Sequence, residues 1–594
     1  MRSSSLFMVV LVSCAGSQKR IQPWSEVRGV AEPGTLRHLV QGDVTGFTEP
    51  QGTQAWLGIA YADPPQRWKA PHAAKPWQGV HEAVKYGPLC PQLNGPLAAA
   101  SQETGDVAGS EDCLTLNVYA PAFTPEQAAT ERRPVMVWIH GGGNTIGTAN
   151  VYGFARNLAI KHGVVVINVN YRLGVLGWFH HPALIAANDS AEDVSGNFGT
   201  LDLIESLKWV KANAAAFGGD PDNVTVFGES AGGFNVFSLL VSPLAKGLFH
   251  RAAIQSGMAV SCTMEQAEHF TDAPAPGAEG SSGEVLLAQL MLDSKIDRAA
   301  ARAKLTTMSP TEIATYLRGR SLEQLISPFK GAAFGMYRSP ALLRDGHVLP
   351  KETVVEALAS AANVPVLLGT NRDEYKLFML MNPKYTTRFL GIHIKDEAVY
   401  ERDARLVADV WRVIGVDLPA AALRKAGTPV FSYRFDWDEE PKYFVANLPK
   451  LLGAAHGLEV GFVFDDVASE FDPFGINSKE NEPGRVKLAR AMASYWVQFA
   501  RSGAPGRGVD GTLPPWAEMG DESAFMVLDT ELSKDKGSQS LEAIEERLAK
   551  DPSFESARAR CEVQRLLFRD FAGQAGAWTA QRAARYEAQC GPSP

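Results

Sequence analysis

Residues 223–240 read NVTVFGESAGGFNVFSLL, and this stretch decides the fold. An apolar, largely β-branched run, residues 224–227, leads into the pentapeptide Gly228-Glu229-Ser230-Ala231-Gly232, and a helix-compatible run follows it. A strand, a sharp turn and a helix in this order are typical of a nucleophile elbow. We therefore expect Ser230 to sit in a strained backbone conformation at a helix N-terminus, whose dipole favours developing negative charge.

The pentapeptide alone is weak evidence for catalysis. With 54 glycines among 594 residues, a G-x-S-x-G pattern is expected by chance about 0.3 times in such a chain. A glycine-rich loop whose serine caps a helix would give the same letters. A catalytic interpretation therefore needs partner residues in the right order along the chain.

Apolar segments that are typical of buried strands lie on both sides of the pentapeptide, and helix-like segments alternate with them. Residues 200–217 place apolar side chains at roughly helical spacing. Interleaved strands and helices predict an α/β fold with a large, mostly parallel central sheet and helices on both faces. The predicted strands are residues 134–139, 164–168, 252–255, 364–369 and 429–437.

The bulk composition is that of a globular protein with a large core. Hydrophobic residues make up 45% of the chain and charged residues 21%, and the formal net charge is −9. The acidic balance, without a long basic run, argues against a nucleic-acid partner. No apolar stretch reaches the roughly 18 residues of a membrane span.

The N-terminus has the pattern of an export signal. Arg2 precedes a short apolar run, residues 6–12, and Leu11-Val12-Ser13-Cys14 is similar to a bacterial lipobox. We therefore predict an exported protein with a lipoprotein-type signal peptide at residues 1–13, anchored in the membrane through a lipidated Cys14. The alternative is an ordinary secretory signal peptide with an incidental cysteine, which gives a periplasmic or secreted protein.

Five cysteines remain when Cys14 is set aside, so at least one has no partner within the monomer. Export permits disulfides, and the local pairings are Cys90 with Cys113 and Cys561 with Cys590. Cys262 is then predicted to be free and buried.

Several motifs in chain order resemble those of the type-B carboxylesterases, the α/β-hydrolases that include cholinesterases and bile-salt-type lipases. The resemblance covers roughly residues 35–530 and implies an α/β-hydrolase fold and a serine esterase. Outside these residues and the predicted signal peptide, we expect a linker at residues 14–34 and a C-terminal helical appendage at residues 531–594. The motifs are GIAYA at 58–62 with two prolines at 64–65, EDCLTLNVY at 111–119, NYRLG at 170–174 and FGGDP at 217–221.

The resemblance also supplies partners for Ser230. In α/β-hydrolases the chain order is serine, acid, histidine. The block GTNRDE at 369–374 implies Glu374 as the acid, although chemistry alone leaves its neighbour Asp373 an equal candidate. Directly after the acid the family usually has glycine, where this chain has Tyr375. The block GAAHGLE at 453–459 implies His456 as the base.

The same match implies an oxyanion hole made by the backbone N–H groups of Gly142, Gly143 and Ala231. A flexible glycine loop is the alternative explanation of the glycines. Family members often carry an aromatic residue where this chain has Asn144.

Other matched residues imply structural support. Arg172 and Asp202 resemble a buried ion pair of the family, and Cys90 with Cys113 resembles its first disulfide. Glu229 and Ser256 resemble residues close to the catalytic triad, for which packing or a local hydrogen bond is at least as good an interpretation as a catalytic role.

Together these features predict a serine carboxylic-ester hydrolase that acts through an acyl-enzyme on neutral, largely apolar esters. Residues 91–112 contain no aromatic side chain, which argues against a cholinesterase-like cation site. No metal or cofactor motif is evident, and the oligomeric state cannot be read. The alternatives are a non-catalytic binding protein of the same fold, and a lipase or specialised esterase with a narrow substrate.

Overall fold

The computed structural model describes residues 26–95, 107–329, 333–361, 364–467, 472 and 474–591. The predicted signal peptide, Cys14 and the first part of the predicted linker lie outside the described residues. Two compact units make up the described chain. The N-terminal unit comprises Gln22–Ala253 and Ser261–Ala362, and the C-terminal unit comprises Ile254–Val260 and Asn363–Pro594.

The N-terminal unit contains six strands of a mixed sheet in the spatial order β6-β4-β5-β3-β2-β1. The pairs β6–β4 and β4–β5 are parallel, and β5–β3, β3–β2 and β2–β1 are antiparallel. The strands are β1 (Phe47–Thr48), β2 (Thr53–Ala60), β3 (Thr115–Pro121), β4 (Arg133–Ile139), β5 (Val165–Val169) and β6 (Gly219–Glu229).

All five residues of β5 are buried, which requires cover on both faces of the sheet. Smaller strands of this unit are Arg37–Leu39, Gly42–Thr45 and Val80–Glu82, which form one sheet, and Gln92–Leu93 with Val107–Ala108. The helices are α1 (Pro125–Thr130), α2 (Arg156–His162), α3 (Gly174–Gly177), α4 (Phe198–Asn213), α5 (Ala231–Val241), α6 (Met264–Glu268), α7 (Ser282–Ser294), α8 (Arg298–Thr307), α9 (Pro310–Arg318), α10 (Leu322–Ile326) and α11 (Val354–Leu358).

A further strand, β7 (Arg251–Gln255), crosses from the first unit to the second along the chain. In the C-terminal unit, four strands follow in the order β8-β9-β10-β11, with parallel pairs β8–β9 and β9–β10 and an antiparallel pair β10–β11. They are β8 (Val366–Asn371), β9 (Val430–Phe435), β10 (Phe525–Leu528) and β11 (Ser533–Asp535).

Two small hairpins, Thr386–Thr387 with His393–Ile394 and Lys442–Tyr443 with Ala446–Asn447, accompany these strands. The helices of the C-terminal unit are α12 (Lys376–Met379), α13 (Glu397–Arg412), α14 (Leu418–Lys425), α15 (Leu448–Leu451), α16 (Val460–Val463), α17 (Glu482–Ser502), α18 (Leu541–Lys550), α19 (Ala557–Arg565) and α20 (Ala580–Cys590).

The strands predicted from the sequence are present, with ends that shift by one or two residues. The helix predicted at 200–217 is α4, which ends at Asn213 and continues as a 3-10 turn, Ala214–Phe217. One expectation needs correction. The C-terminal appendage begins with β11, which pairs with β10, and is helical only from Leu541 onward.

Both predicted disulfides, Cys90–Cys113 and Cys561–Cys590, are formed, and Cys262 is a buried free thiol. Burial raises the pKa of the Cys262 thiol to about 11, so it stays protonated and unreactive at neutral pH. Within the described ranges, no helix is both long and apolar enough to cross a membrane.

Candidate active site

Ser230 occupies the turn between β6, which ends at Glu229, and α5, which begins at Ala231. Its backbone angles are φ 57° and ψ −123°. A residue with a side chain rarely adopts a positive φ, and holding it there costs about 1–3 kcal/mol. The strand–turn–helix and the strained serine expected from the sequence are therefore both present.

Two glycines allow β6 and α5 to pack closely against the end of β4 at this turn. A Cβ atom on Gly228 would lie 2.7 Å from the carbonyl oxygen of Ile139, and a Cβ atom on Gly232 would overlap the same oxygen. Ile139 is the last residue of β4, the neighbour of β6. Any larger residue at either position would force the strand and the helix apart.

The glycine loop that follows β4 lies against the serine turn. Gly142 and Gly143 have φ values of 103° and 63°, which favour glycine. A Cβ atom on Gly141 would lie 2.7 Å from Oε2 of Glu229 and 3.1 Å from Cβ of Ser230. The backbone of this loop can thus approach a group bound at Ser230 more closely than side chains would permit.

Asn144 ends the glycine loop and is directed into the protein. It is buried, with φ 58°, and its Oδ1 accepts a hydrogen bond from Nδ2 of Asn235 at 2.9 Å. The hydroxyl of Tyr171 lies 3.4 Å from the same oxygen. These contacts anchor the loop to α5 and to the segment after β5.

In the C-terminal unit, Glu374 and His456 form a buried pair. Oε2 of Glu374 lies 2.6 Å from Nδ1 of His456, and both residues are at most 5% exposed. Glu374 follows β8, and its other oxygen accepts from the backbone N–H of Asn371 at 2.8 Å. A carboxylate on Nδ1 favours the tautomer whose Nε2 carries no proton and can accept one.

Asp373, the other candidate acid, has different partners. Its carboxylate lies 2.8 Å from the guanidinium of Arg372 and 3.2 Å from Nζ of Lys376. It also accepts from the backbone N–H of Ala454 at 3.1 Å. Asp373 therefore carries structural ion pairs, and Glu374 is the carboxylate in contact with the histidine.

A second carboxyl group, Glu459, is buried beside the pair. Nδ2 of Asn371 donates to Oε2 of Glu459 at 2.6 Å and to the carbonyl of Ala455 at 2.8 Å. Burial, and then the charge of Glu374, raise the pKa of Glu459 to about 7. Asn371 thus links the acid, the histidine loop and a carboxyl group that is largely protonated below neutral pH.

Two aromatic rings pack on His456 within the same unit. The rings of Trp411 and Phe378 have centroids 4.7 Å and 5.5 Å from the imidazole. Nε1 of Trp411 donates to the carbonyl of Ser256 at 3.0 Å, and Ser256 has φ 50°. The imidazole is therefore held by contacts with two tilted aromatic rings and by Glu374 at Nδ1.

The buried ion pair that the resemblance implied is present. Nε and Nη2 of Arg172 donate to the two carboxylate oxygens of Asp202 at 2.8 Å and 2.6 Å. The backbone N–H of Arg172 also donates to Asp202 at 3.0 Å. This pair ties the segment after β5 to α4, and its contacts identify a supporting role.

Sequence reasoning missed Asn371, Glu459 and Trp411. The first two lie inside the blocks that contain Glu374 and His456, so their position was a signal that could have been used. Trp411 lies on α13, 45 residues before His456, and no local pattern marks it. The described residues contain no group of three or more His, Cys, Asp or Glu side chains arranged to hold a metal ion.

The model of the carboxylesterase family matches residues 34–403 and 392–546 of this chain. The chain is 35% identical over 492 residues to para-nitrobenzyl esterase of Bacillus subtilis (strain 168), covering 78% of this chain and 89% of that protein. It is 31% identical to carboxylesterase 1D of Rattus norvegicus, covering 89% and 93%. It is 32% identical to fumonisin B1 esterase of Sphingopyxis macrogoltabida, covering 83% and 87%.

Solved esterase structures are similar to most of the chain. A PNB esterase matches with a TM-score of 0.63 at 31% identity, covering 88% of this chain and 100% of that one. A carboxylesterase of Geobacillus stearothermophilus matches with a TM-score of 0.60 at 28% identity, covering 84% and 97%.

Proposed function

The chain belongs to the carboxylesterase family, has the α/β-hydrolase fold and hydrolyses carboxylic esters, and we propose that it does so through an acyl-enzyme formed on Ser230. A serine hydroxyl is a poor nucleophile unless a base removes its proton during attack. The proposed base is His456, and the proposed acid that orients it is Glu374.

The observation that carries this proposal is the 2.6 Å contact between Glu374 and Nδ1 of His456. Nε2 of His456 would take the proton of Ser230 as the hydroxyl oxygen attacks the ester carbonyl. The same proton would pass to the leaving alcohol as the C–O bond breaks. A water molecule would then attack the acyl-enzyme, with His456 again as base, to release the acid and restore the serine.

The backbone N–H groups of Gly142, Gly143 and Ala231 are the proposed donors to the tetrahedral oxyanion. The positive φ values of the two glycines and the position of Ala231 as the first residue of α5 support this assignment. Loss of one such donor typically costs about 2.7–4 kcal/mol of transition-state stabilisation.

Neutral, largely apolar esters are the proposed substrate class. The loop closed by the disulfide between Cys90 and Cys113 contains no aromatic residue that could bind a cationic alcohol group. Activity on long-chain acyl esters would distinguish a lipase from a general esterase.

Export is compatible with the two disulfides, and lipidation of Cys14 is the proposed means of membrane attachment. Expression of the full chain and of Cys14→Ser with radiolabelled palmitate tests it. Label and membrane retention in the parent alone support the anchor, and equal distribution of both proteins contradicts it.

The mechanism is tested with a series of p-nitrophenyl acyl esters and a fluorophosphonate probe, which reacts with activated serines. We expect the parent to turn over the esters and to carry the probe on Ser230. Ser230→Ala should lose both reactions, whereas Ser238→Ala should keep them. Ser238 is a matched control because it is a buried serine of α5 whose hydroxyl donates to Asn235. Full turnover by Ser230→Ala would contradict the proposed serine mechanism.

A further inference from the structure

The C-terminal helices α18–α20 extend beyond the part of the chain that matches the family. The family match ends at residue 546, within α18, and α19 and α20 follow it. The disulfide between Cys561 and Cys590 joins α19 to α20. We call the segment from α18 to α20 the addition, because most of it lies beyond the matched residues.

Helix α18, helix α19 and the segment after α19 share one hydrophobic cluster with α13. Leu406, Val407 and Val410 of α13 are buried in it. The cluster also contains Ile544 and Leu548 of α18, Val563 of α19, and Leu567 and Phe568 of the segment after α19. Packing of this extent makes the position of α13 depend on the addition.

Phe571 brings the addition close to the acid–base pair. It ends the π-helical segment Leu566–Phe571 that follows α19. Its ring centroid lies 5.2 Å from that of Trp411, whose ring lies 4.7 Å from His456. Two ring contacts thus connect the C-terminal helices to the imidazole.

Phe571 also contacts the residue that follows the acid. The rings of Phe571 and Tyr375 meet edge to face with centroids 6.3 Å apart. Tyr375 directly follows Glu374 and stands where the resembling family usually has glycine. The large side chain at this position and the added helices are therefore in contact with each other.

We propose that Phe571 is a positioning residue of ester hydrolysis, which acts through Trp411 and Tyr375 to hold the Glu374–His456 pair in its productive geometry. This inference rests on the proposed roles of Glu374 and His456. The addition would then support the geometry of the acid–base pair through the ring of Phe571.

The physical reason is the placement of Trp411 between two partners. Its indole N–H is fixed on the carbonyl of Ser256, and its ring packs on His456 and on Phe571. Removal of the Phe571 ring leaves a cavity against which both Trp411 and Tyr375 can shift. A displacement of about 1 Å in a catalytic group can lower the rate about 100-fold.

The test compares Phe571→Ala with Trp578→Ala in the full-length protein. Trp578 is a matched control because it packs on the same cluster, and its ring lies 5.5 Å from Tyr586 of α20. The measurements are kcat and KM for a p-nitrophenyl ester, the rate of labelling by a fluorophosphonate probe, and the midpoint of thermal unfolding. All assays are made well below the unfolding temperature of every variant.

We expect Phe571→Ala to lower kcat about 10- to 100-fold with KM changed less than about threefold. The labelling rate should fall in proportion to kcat, because both reactions need the same base. Phe571→Leu should recover part of the loss, since leucine refills much of the cavity. Trp578→Ala should lower the unfolding midpoint but keep kcat within about twofold of the parent.

An unchanged kcat in Phe571→Ala overturns the inference. Equal kcat losses in Phe571→Ala and Trp578→Ala at equal loss of stability also overturn it, because the effect is then merely structural. If Phe571→Ala does not fold, the comparison of Phe571→Leu with Trp578→Ala decides in the same way. Failure of the proposed function is a separate result, namely turnover and labelling that survive in Ser230→Ala.

Discussion

The side-chain amide of Asn371 donates to Oε2 of Glu459 at 2.6 Å, at the end of strand β8. The backbone N–H of the same asparagine donates to Glu374 at 2.8 Å. One residue thereby holds two buried carboxyl groups in place beside His456. Since the two carboxyl groups repel each other when both are charged, their arrangement depends on this asparagine and on the protonation of Glu459.

Replacement of Asn371 by leucine should weaken both the fold and the catalysis. The carbonyl of Ala455 and the carboxyl of Glu459 would each lose a donor while remaining buried, which costs about 1–3 kcal/mol per group. We expect a lower free energy of unfolding in urea and a lower kcat. Asn371→Asp should be worse, because it adds a third carboxyl group. Unchanged stability and kcat in Asn371→Leu would contradict this account.

Glu459 should make the stability of the protein fall as pH rises. Its pKa is raised from 4.5 to about 7 in the folded protein, so between these values the folded state binds more protons than the unfolded state. The contribution of Glu459 to the free energy of unfolding therefore decreases from about pH 4.5 to about pH 7 and levels off above it.

Glu459→Gln removes this group while keeping an oxygen that can accept from Asn371. Relative to the parent, the variant should gain stability progressively between about pH 4.5 and 7 and then keep a constant advantage. Urea unfolding of both proteins at several pH values measures the difference. A difference that stays constant across this range would show that Glu459 titrates normally.

Two adjacent carboxylates offer a direct test of the acid assignment. Glu374→Gln removes the charge that faces Nδ1 of His456 and should lower kcat by about 10⁴-fold. Asp373→Asn removes the charge that pairs with Arg372 and Lys376. It should mainly lower stability, with kcat retained to within about tenfold. The reverse order of kcat losses would identify Asp373 as the acid.

Gly232 should not tolerate even a methyl group. A Cβ atom there overlaps the carbonyl oxygen of Ile139 in the neighbouring strand. Gly232→Ala should destabilise the protein by about 1–3 kcal/mol or more, since backbone atoms must move. Gly34→Ala is the control, because a Cβ atom on Gly34 meets no atom within 4 Å. Thermal unfolding of both variants measures the difference, and equal midpoints would contradict the close approach.

The features that could be predicted most accurately from the sequence are those formed by a few consecutive residues. The turn at Ser230 and the glycines of the loop at 141–143 could be recognised because their geometry is imposed by local backbone requirements. The choice between Asp373 and Glu374 could not be made from chemistry alone. It depends on which carboxylate faces residue 456, a contact between segments 82 residues apart.

Contacts between distant segments explain the other gaps. Trp411 and Phe571 are ordinary buried aromatics in the sequence, and only the packing of α13 against the C-terminal helices brings them near His456. The short strand β11 was missed because its three residues, Ser533–Asp535, are exposed and polar, and only pairing with β10 makes them a strand.

The positive φ of Ser230 means that the residue needed for activity lowers the thermal stability of the protein. Glycine would occupy this turn without the strain of about 1–3 kcal/mol that a side chain incurs there. Selection of variants for heat resistance alone should therefore enrich Ser230→Gly, a more durable protein with no nucleophile. Directed evolution of this chain must screen for turnover in every round, because a stabilising substitution at this residue leads to an inert scaffold.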